Sequence, residues 1–279
     1  EPDSALTAGD ELVTPLSIRV ERDSSPGTLV VRGTIAPHDS QMVRFAHPEP
    51  PTAYITALKE ALEARGLSVA ESDSVSRGRP ATTRDTIAVI LSLPLREIMP
   101  AFEKPSQNQI GEILLRTLGL ERTGVGIPDS GRVVIERQLL EWGATRDGFV
   151  VRDGSGLSRY NYLSPETIVR VLEVMRRDTA FTVFYDALPI AGVDGTLANR
   201  MKGTYAEANA HGKTGFVAQA RSLSGYVTSA DGRLLIYSLL CNNWTVPVRV
   251  VERVEDSIVA RLAGMSAGGE VIVSDSVRM

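Results

Sequence analysis

Apolar positions recur along the chain with two periods, and the change between them divides it. Leu16-Ser17-Ile18-Arg19-Val20 alternates apolar and polar, the period of a half-buried strand. After the turn Ser24-Ser25-Pro26-Gly27, Leu29-Val30-Val31-Arg32-Gly33-Thr34-Ile35 predicts a second strand, and Met42-Val43-Arg44-Phe45 a third. Behind Pro50-Pro51 and a capping Thr52, residues Tyr54, Ala57, Leu58, Ala61 and Leu62 recur at helical spacing, and Gly66 closes that helix. Leu67-Ser68-Val69 reads as a strand. The polar, Ser- and Arg-rich stretch from Glu71 to Thr83 reads as a linker, which puts a domain boundary near residue 85. Residues 1–84 are thus expected to form a small, mainly β portion.

Asp85-Thr86-Ile87-Ala88-Val89-Ile90-Leu91 predicts a buried strand, and Pro94 to Pro100 opens a short helix that stops before Pro105. Ser106-Gln107-Asn108 leads into a helix through Ile110, Ile113, Leu114 and Leu118 to Gly119. Ser106 reads there as an N-cap and Asn108 as a first-turn residue. A Gly-containing loop, 121–128, precedes a helix from about Ser130 to Trp142. Phe149-Val150-Val151 runs into the loop Asp153-Gly154-Ser155-Gly156-Leu157-Ser158-Arg159. Ser164-Pro165-Glu166 is a strong helix start, with Ile168, Val169, Leu172 and Met175 as the apolar face. A turn-rich segment from Leu188 to Leu197 enters a short helix ending near Met201 and delivers the chain to His211-Gly212-Lys213-Thr214-Gly215-Phe216. Leu223 to Thr228, Asp231-Gly232 and Arg233 to Leu240 form a hairpin pattern, and Val248, Val251, Val254, Ile258 and Leu262 space a last helix. Residues 85–264 therefore read as α+β, an antiparallel sheet flanked by helices, and 265–279 as a small, polar tail.

With 43% hydrophobic and 23% charged residues, the composition is that of an ordinary globular protein with a sizeable core. No run approaches the length needed to span a bilayer as a helix, and a net charge of -4 gives no reason to expect nucleic acid. Cys241 is the only cysteine, and His38, His47 and His211 lack metal-ligand spacing, so neither a disulfide framework nor a metal or cofactor is implied. The opening Glu1-Pro2-Asp3 has no signal-peptide pattern, which suits a processed or truncated start. Lysine occurs only at Lys59, Lys104, Lys202 and Lys213.

A lysine, a hydroxyl and a glycine at the start of a sheet suit an extended substrate ending in a carboxylate. Lys213 offers a fixed charge, Thr214 a hydroxyl, and Gly215 room for a second backbone at the strand edge. Ser106 and Asn108, two apart, can converge on one cleft at a helix entrance. Gly154-Ser155-Gly156 is an incomplete nucleophile elbow without the helix that would expose its serine. The better reading is a loop whose Ser155, Asp and Arg groups hold the cleft together.

Taken in order, Ser106-Gln107-Asn108, Asp153 to Arg159, Gly192-Val193-Asp194-Gly195-Thr196-Leu197 and Lys213-Thr214-Gly215 resemble the DacB-like D-alanyl-D-alanine carboxypeptidase/endopeptidase group of penicillin-binding proteins, peptidase S13. The resemblance runs from about residue 85 to 264 and extends through the β-type start. It implies a transpeptidase- or β-lactamase-like sheet flanked by helices, with residues 1–84 a remnant of accessory modules. It implies a serine acyl-enzyme reaction on peptidoglycan stem peptides ending in D-Ala-D-Ala, β-lactam binding, and a periplasmic or other extracytoplasmic location. Ser106 would relay protons, Asn108 orient the substrate amide, Lys213 and Thr214 bind its carboxylate, and Gly215 lie on the strand edge.

One departure is large. The family's nucleophile and its lysine lie in Ser-x-x-Lys, but the residues three before the four lysines are Thr56, Ala101, Asn199 and Ala210. Thr56-Ala57-Leu58-Lys59 has the spacing, yet its helical apolar face already explains it. The chain is therefore expected to be the C-terminal part of a family member, inactive alone, with a separate N-terminal piece carrying Ser-x-x-Lys as a partner. The alternative is a non-catalytic peptidoglycan- or peptide-binding homologue.

Overall fold

The computed structural model describes residues 17–22, 29–35, 40, 47, 49–69 and 89–266. Chain contacts divide it into two units, Glu1–Ile87 and Ala88–Met279.

In the first unit, β1 (Ser17–Arg22) and β2 (Leu29–Thr34) form an antiparallel pair with Val20 opposite Val31. The third strand expected at Met42–Phe45 lies outside the described residues. Helix α1 (Pro50–Glu63) starts two residues before Thr52, because Pro50 and Pro51 occupy the first positions, where a missing N–H costs nothing. It buries no residue fully. Gly66 ends its final turn as expected, and Leu67 to Val69 continue without strand pairing.

In the second unit the expected buried strand at 85–91 is not found among its described residues. Residues 85–88 lie outside the described ones, and Val89, Ile90 and Leu91 are unpaired and 69–92% exposed. An apolar run becomes a strand only where a neighbouring edge accepts its hydrogen bonds. The helices are α2 (Leu95–Glu103), α3 (Asn108–Thr123), α4 (Pro128–Glu141), α5 (Pro165–Arg177) and α6 (Phe181–Ala187). Between α4 and α5, β3 (Phe149–Val150) pairs with β4 (Tyr162–Leu163), so the Asp153 loop is the tip of a hairpin. Ser164 caps α5 through the Thr167 N–H at 3.1 Å. Helix α6 was not anticipated. Its Phe181, Phe184 and Tyr185 follow helical spacing and close on the Tyr226 ring at 5.4–6.5 Å between centroids.

The sheet follows as β5 (His211–Val217), β6 (Ala220–Thr228) and β7 (Leu234–Asn242), antiparallel in that order, and α7 (Val248–Ala263) ends the domain. Alternation along β6 separates two cores. Leu223 and Val227 turn to Val259, Ala260 and Ala263 of α7, while Tyr226 turns to Leu172 of α5 and to α6. Tyr226 is fully buried, and its hydroxyl donates to the Leu172 carbonyl at 2.7 Å. Each such large side chain contributes about 1.5–3 kcal/mol by burial. Helices cover both faces of the sheet, and β5 and β7 are its edge strands among the described residues. The antiparallel sheet flanked by helices that the sequence implied is present.

Candidate active site

Helix α2 ends at Glu103, and the chain turns through Lys104, Pro105 and Ser106 before α3 opens at Asn108. Ser106 is not the helix cap that its residue type predicts. Gln107 holds that position, and Ser106 sits in the left-handed region at φ 57°. That conformation costs a non-glycine residue on the order of 1–2 kcal/mol. The turn is held by the Gln107 N–H donating to the Phe102 carbonyl at 2.9 Å. The Ser106 hydroxyl is thereby aimed at β5, where the Lys213 ammonium donates to its Oγ at 2.7 Å. Two residues 107 positions apart in sequence thus meet through their side chains.

Lys213 lies opposite Ser224 of β6, and its head group bends back to the outer edge of β5, donating to the Thr214 carbonyl at 2.8 Å. The Gly212 N–H donates to the Pro189 carbonyl, away from β6, so alternation turns the main-chain groups of Thr214 and Phe216 outward as well. Both hydrogen-bond partners of the Lys213 amine are neutral. Burial lowers its pKa, and the nearby Glu103 charge raises it in part. Glu103 is 9% exposed; burial pushes its carboxyl up, against the pull of Lys213. A partly desolvated cation with neutral ligands is well prepared for an anion.

Thr214 donates its hydroxyl to Thr196 Oγ1 at 2.8 Å. Thr196 belongs to the 3-10 turn Gly195–Leu197, and Lys104 braces that turn. The Lys104 ammonium reaches Asp194 Oδ2 at 2.7 Å and the Leu188 carbonyl at 3.0 Å, while its own carbonyl accepts the Thr196 N–H at 3.0 Å. The other Asp194 oxygen accepts the Ile190 N–H at 2.9 Å. Gly195 has φ 57°, and a Cβ there would stand 2.7 Å from the Lys104 carbonyl oxygen, so glycine is required. Sequence reasoning assigned no role to Lys104, Asp194 or Thr196. The available signals were a lysine two residues before Ser106 and an Asp-Gly-Thr turn shortly before Lys213. Behind Lys213, on the same face of β5, His211 stacks on Tyr185 at 3.9 Å between centroids, and burial lowers its pKa.

Asn108 opens α3 two residues beyond Ser106, exposed, and its side chain makes no hydrogen bond among the described residues. Ser155 is brought in differently. Gly111 of α3 and Gly154 touch backbone to backbone, a Cβ on Gly111 falling 2.4 Å from the Gly154 oxygen. That contact lets Glu112 Oε1 accept the N–H groups of Gly154 and Ser155 at 3.1 Å each. Asp153 accepts from Gly156, Ser158 and Asn161, and the Arg159 guanidinium donates to the Ala218 carbonyl beyond β5 at 2.7 Å. Among the described residues no hydrogen bond joins Ser155 to Ser106 or Lys213. A cleft of about 490 Å³ lies between this loop and the far end of β5, bordered by Gly154, Ser158, Gly215, Phe216 and Arg221. The space over Gly215 is taken by Ser222 of β6, whose Oγ lies 2.5 Å from where a Cβ would stand.

Among the described residues no cluster of His, Cys, Asp or Glu could hold a metal ion, and no helix is long and apolar enough to cross a membrane. Known proteins bear on the arrangement as a whole. The D-alanyl-D-alanine carboxypeptidase of Actinomadura sp. (strain R39) is 34% identical over 252 residues, 88% of this chain and 46% of that protein. Carboxypeptidase DacB of Mycolicibacterium smegmatis is 34% identical over 227 residues, 76% of this chain and 48% of its own. The chain therefore spans about half the length of these relatives. Penicillin binding protein 4 (dacB) of Haemophilus influenzae, crystallised in complex with a β-lactam, shares the fold with a TM-score of 0.67 at 24% identity, over 83% of this chain and 53% of its own. The sequence profile of the D-Ala-D-Ala carboxypeptidase 3 (S13) family matches residues 13–265, and the chain belongs to that family.

Proposed function

We propose that this chain is the C-terminal part of a serine-type D-Ala-D-Ala carboxypeptidase or endopeptidase of the cell wall, residues 85–264 forming one wall of its peptide- and β-lactam-binding cleft. The observation that carries the reading is the 2.7 Å bond from Lys213 to Ser106. A serine hydroxyl held by a cation with a lowered pKa can pass a proton towards a leaving amine, and the same cation can receive the substrate carboxylate. Asn108, exposed at the head of α3, orients the substrate amide, and Thr214 supplies a hydroxyl. Ser155 and Gly215 border the substrate without reacting. The attacking serine and its lysine belong to a Ser-x-x-Lys segment that this sequence does not contain, carried by a separate or upstream piece. The location expected is extracytoplasmic, with peptidoglycan.

A fluorescent penicillin tests this. The chain alone should form no covalent adduct; a stable adduct mapped to any of its serines would remove the missing-nucleophile argument. Supplying a Ser-x-x-Lys half from the Actinomadura relative in trans, or fused ahead of Glu1, should restore acylation and release of D-Ala. A folded fusion that stays unacylated would favour a non-catalytic peptide-binding homologue.

A further inference from the structure

The Thr214–Thr196 hydroxyl pair has a direction. Thr214 donates to Thr196 Oγ1 at 2.8 Å, and a hydroxyl carries a single hydrogen. The hydrogen left to donate outward from the pair therefore belongs to Thr196, and accepting a bond polarises that O–H further. Thr196 is exposed, so the hydrogen is accessible, and its backbone is fixed on both sides. Its N–H is held by the Lys104 carbonyl at 3.0 Å, and the preceding Asp194 is locked by the Lys104 ammonium and the Ile190 N–H. Beside it, Lys213 uses two of its three N–H groups on Ser106 and on the Thr214 carbonyl at the strand edge, which leaves one for a ligand. A carboxylate has about four acceptor sites and gains most where a cation and neutral donors converge.

Resting on the reading of the cleft as a carboxypeptidase site, we infer that Thr196 donates its hydroxyl to the terminal carboxylate of the bound peptide. Lys104 and Asp194 are its positioning pair.

The test is an NMR titration of the chain with an N-acylated D-Ala-D-Ala dipeptide and with the same peptide as its C-terminal carboxamide. The wild-type chain should prefer the carboxylate. Thr196→Val should weaken carboxylate binding by about 10-fold or more, the loss expected for a charge-assisted donor, and weaken carboxamide binding less, so that the preference for the carboxylate shrinks. Thr196→Ser should restore the preference. Lys104→Met should erode it too, and Thr196→Ala covers the case of a valine variant that misfolds. If Thr196→Val or Thr196→Ala kept the full carboxylate preference of the wild type, the inference would fall and the carboxypeptidase reading would stand. If the wild-type chain itself did not distinguish carboxylate from carboxamide, the reading of the cleft would fail and take the inference with it.

Discussion

Two basic centres in the second unit hold their charges in opposite ways. Around Arg200 and Arg221, cations and carboxylates are packed together. Arg200 meets Asp256 at 2.7 Å and Glu255 at 3.0 Å, and Arg221 meets Glu255 at 3.1 Å and Glu252. Glu255 is completely buried. Burial alone would lower the Arg200 pKa, but the hydrogen bonds and charges of Asp256 and Glu255 raise it. Lys213 has no carboxylate in contact, only a serine hydroxyl and a carbonyl, and its pKa falls. The first centre fastens α7 to β6 and to the Arg200 loop, and has no charge left to offer. The second keeps its charge weakly compensated at an open strand edge, where a ligand can complete it. Opposite charges in contact mark the first centre, although Arg200 Nη1 and Glu255 Oε1 stay buried without a hydrogen-bond partner, and a cation without one marks the second.

Breaking the charge-paired centre should have the largest effect. Glu255→Ala leaves two arginines without their shared buried partner, and such removals cost about 3–5 kcal/mol. Urea unfolding of wild type and variant measures this directly. A loss below about 1 kcal/mol would mean that the network is ornamental and that the contrast with Lys213 teaches nothing about stability.

The open centre should respond the other way. Lys213→Met removes a partly desolvated cation with no carboxylate in contact, so stability should stay within about 1 kcal/mol of wild type. Binding should suffer instead. A charge-assisted contact to the substrate carboxylate is worth on the order of 1.5–3 kcal/mol, roughly a 10- to 150-fold loss. Acylation rates of the fused, reconstituted protein would read it. Equal losses of stability and of acylation would reassign Lys213 to the scaffold.

Much of this contrast could be read in the sequence, and the missing part has a physical cause. The motif order singled out Ser106, Asn108, Lys213 and Thr214, and the alternation of β6 and β7 made the sheet legible. Serine before a helix suggests a cap, but Ser106 sits in a left-handed turn held by the Gln107 N–H and meets Lys213, a tertiary contact that residue type alone does not announce. The run at Val89 to Leu91 shows the converse error, because apolar content does not say whether a partner strand is present. The sequence gives no sign that Lys104 and the Thr196 turn meet. The contact depends on a turn 90 positions from Lys104, at Asp194, reaching its ammonium and carbonyl. The Arg200 and Arg221 network could not be foreseen either, as Glu252, Glu255 and Asp256 look like ordinary surface charges along α7 and the two arginines lie far from them in sequence.

A titration sharpens the comparison further. Because burial lowers the Lys213 pKa, its amine should titrate below the ordinary lysine range. The charged form is disfavoured in the folded state, so folding binds fewer protons there. Stability should rise with pH between the lowered folded value and the ordinary unfolded one, and be lost as pH falls through the folded value. NMR of the reductively 13C-methylated protein follows each lysine separately. Glu103→Gln should move the Lys213 midpoint further down, since the Glu103 charge is what raises it. An upward movement would mean that some other group sets the Lys213 environment.

The smallest effect expected is at Lys59, and it guards the assignment of the missing nucleophile. Thr56-Ala57-Leu58-Lys59 is the one place where a hydroxyl residue stands three before a lysine. Both residues lie within α1, and Lys59 is 34% exposed and pairs only loosely with Glu63, at 3.8 Å one helical turn on. Among the described residues no hydrogen bond brings its amine against a hydroxyl, in contrast to Lys213 and Ser106. A surface pair of this kind contributes about 0.2–0.5 kcal/mol, so Lys59→Ala should shift unfolding by no more than that. In the fused protein it should leave penicillin acylation unchanged while Lys213→Met reduces it. If Lys59→Ala abolished acylation and Lys213→Met did not, the nucleophile would have to be sought at Thr56, and the strand edge at Thr214 would no longer be the place where the substrate binds.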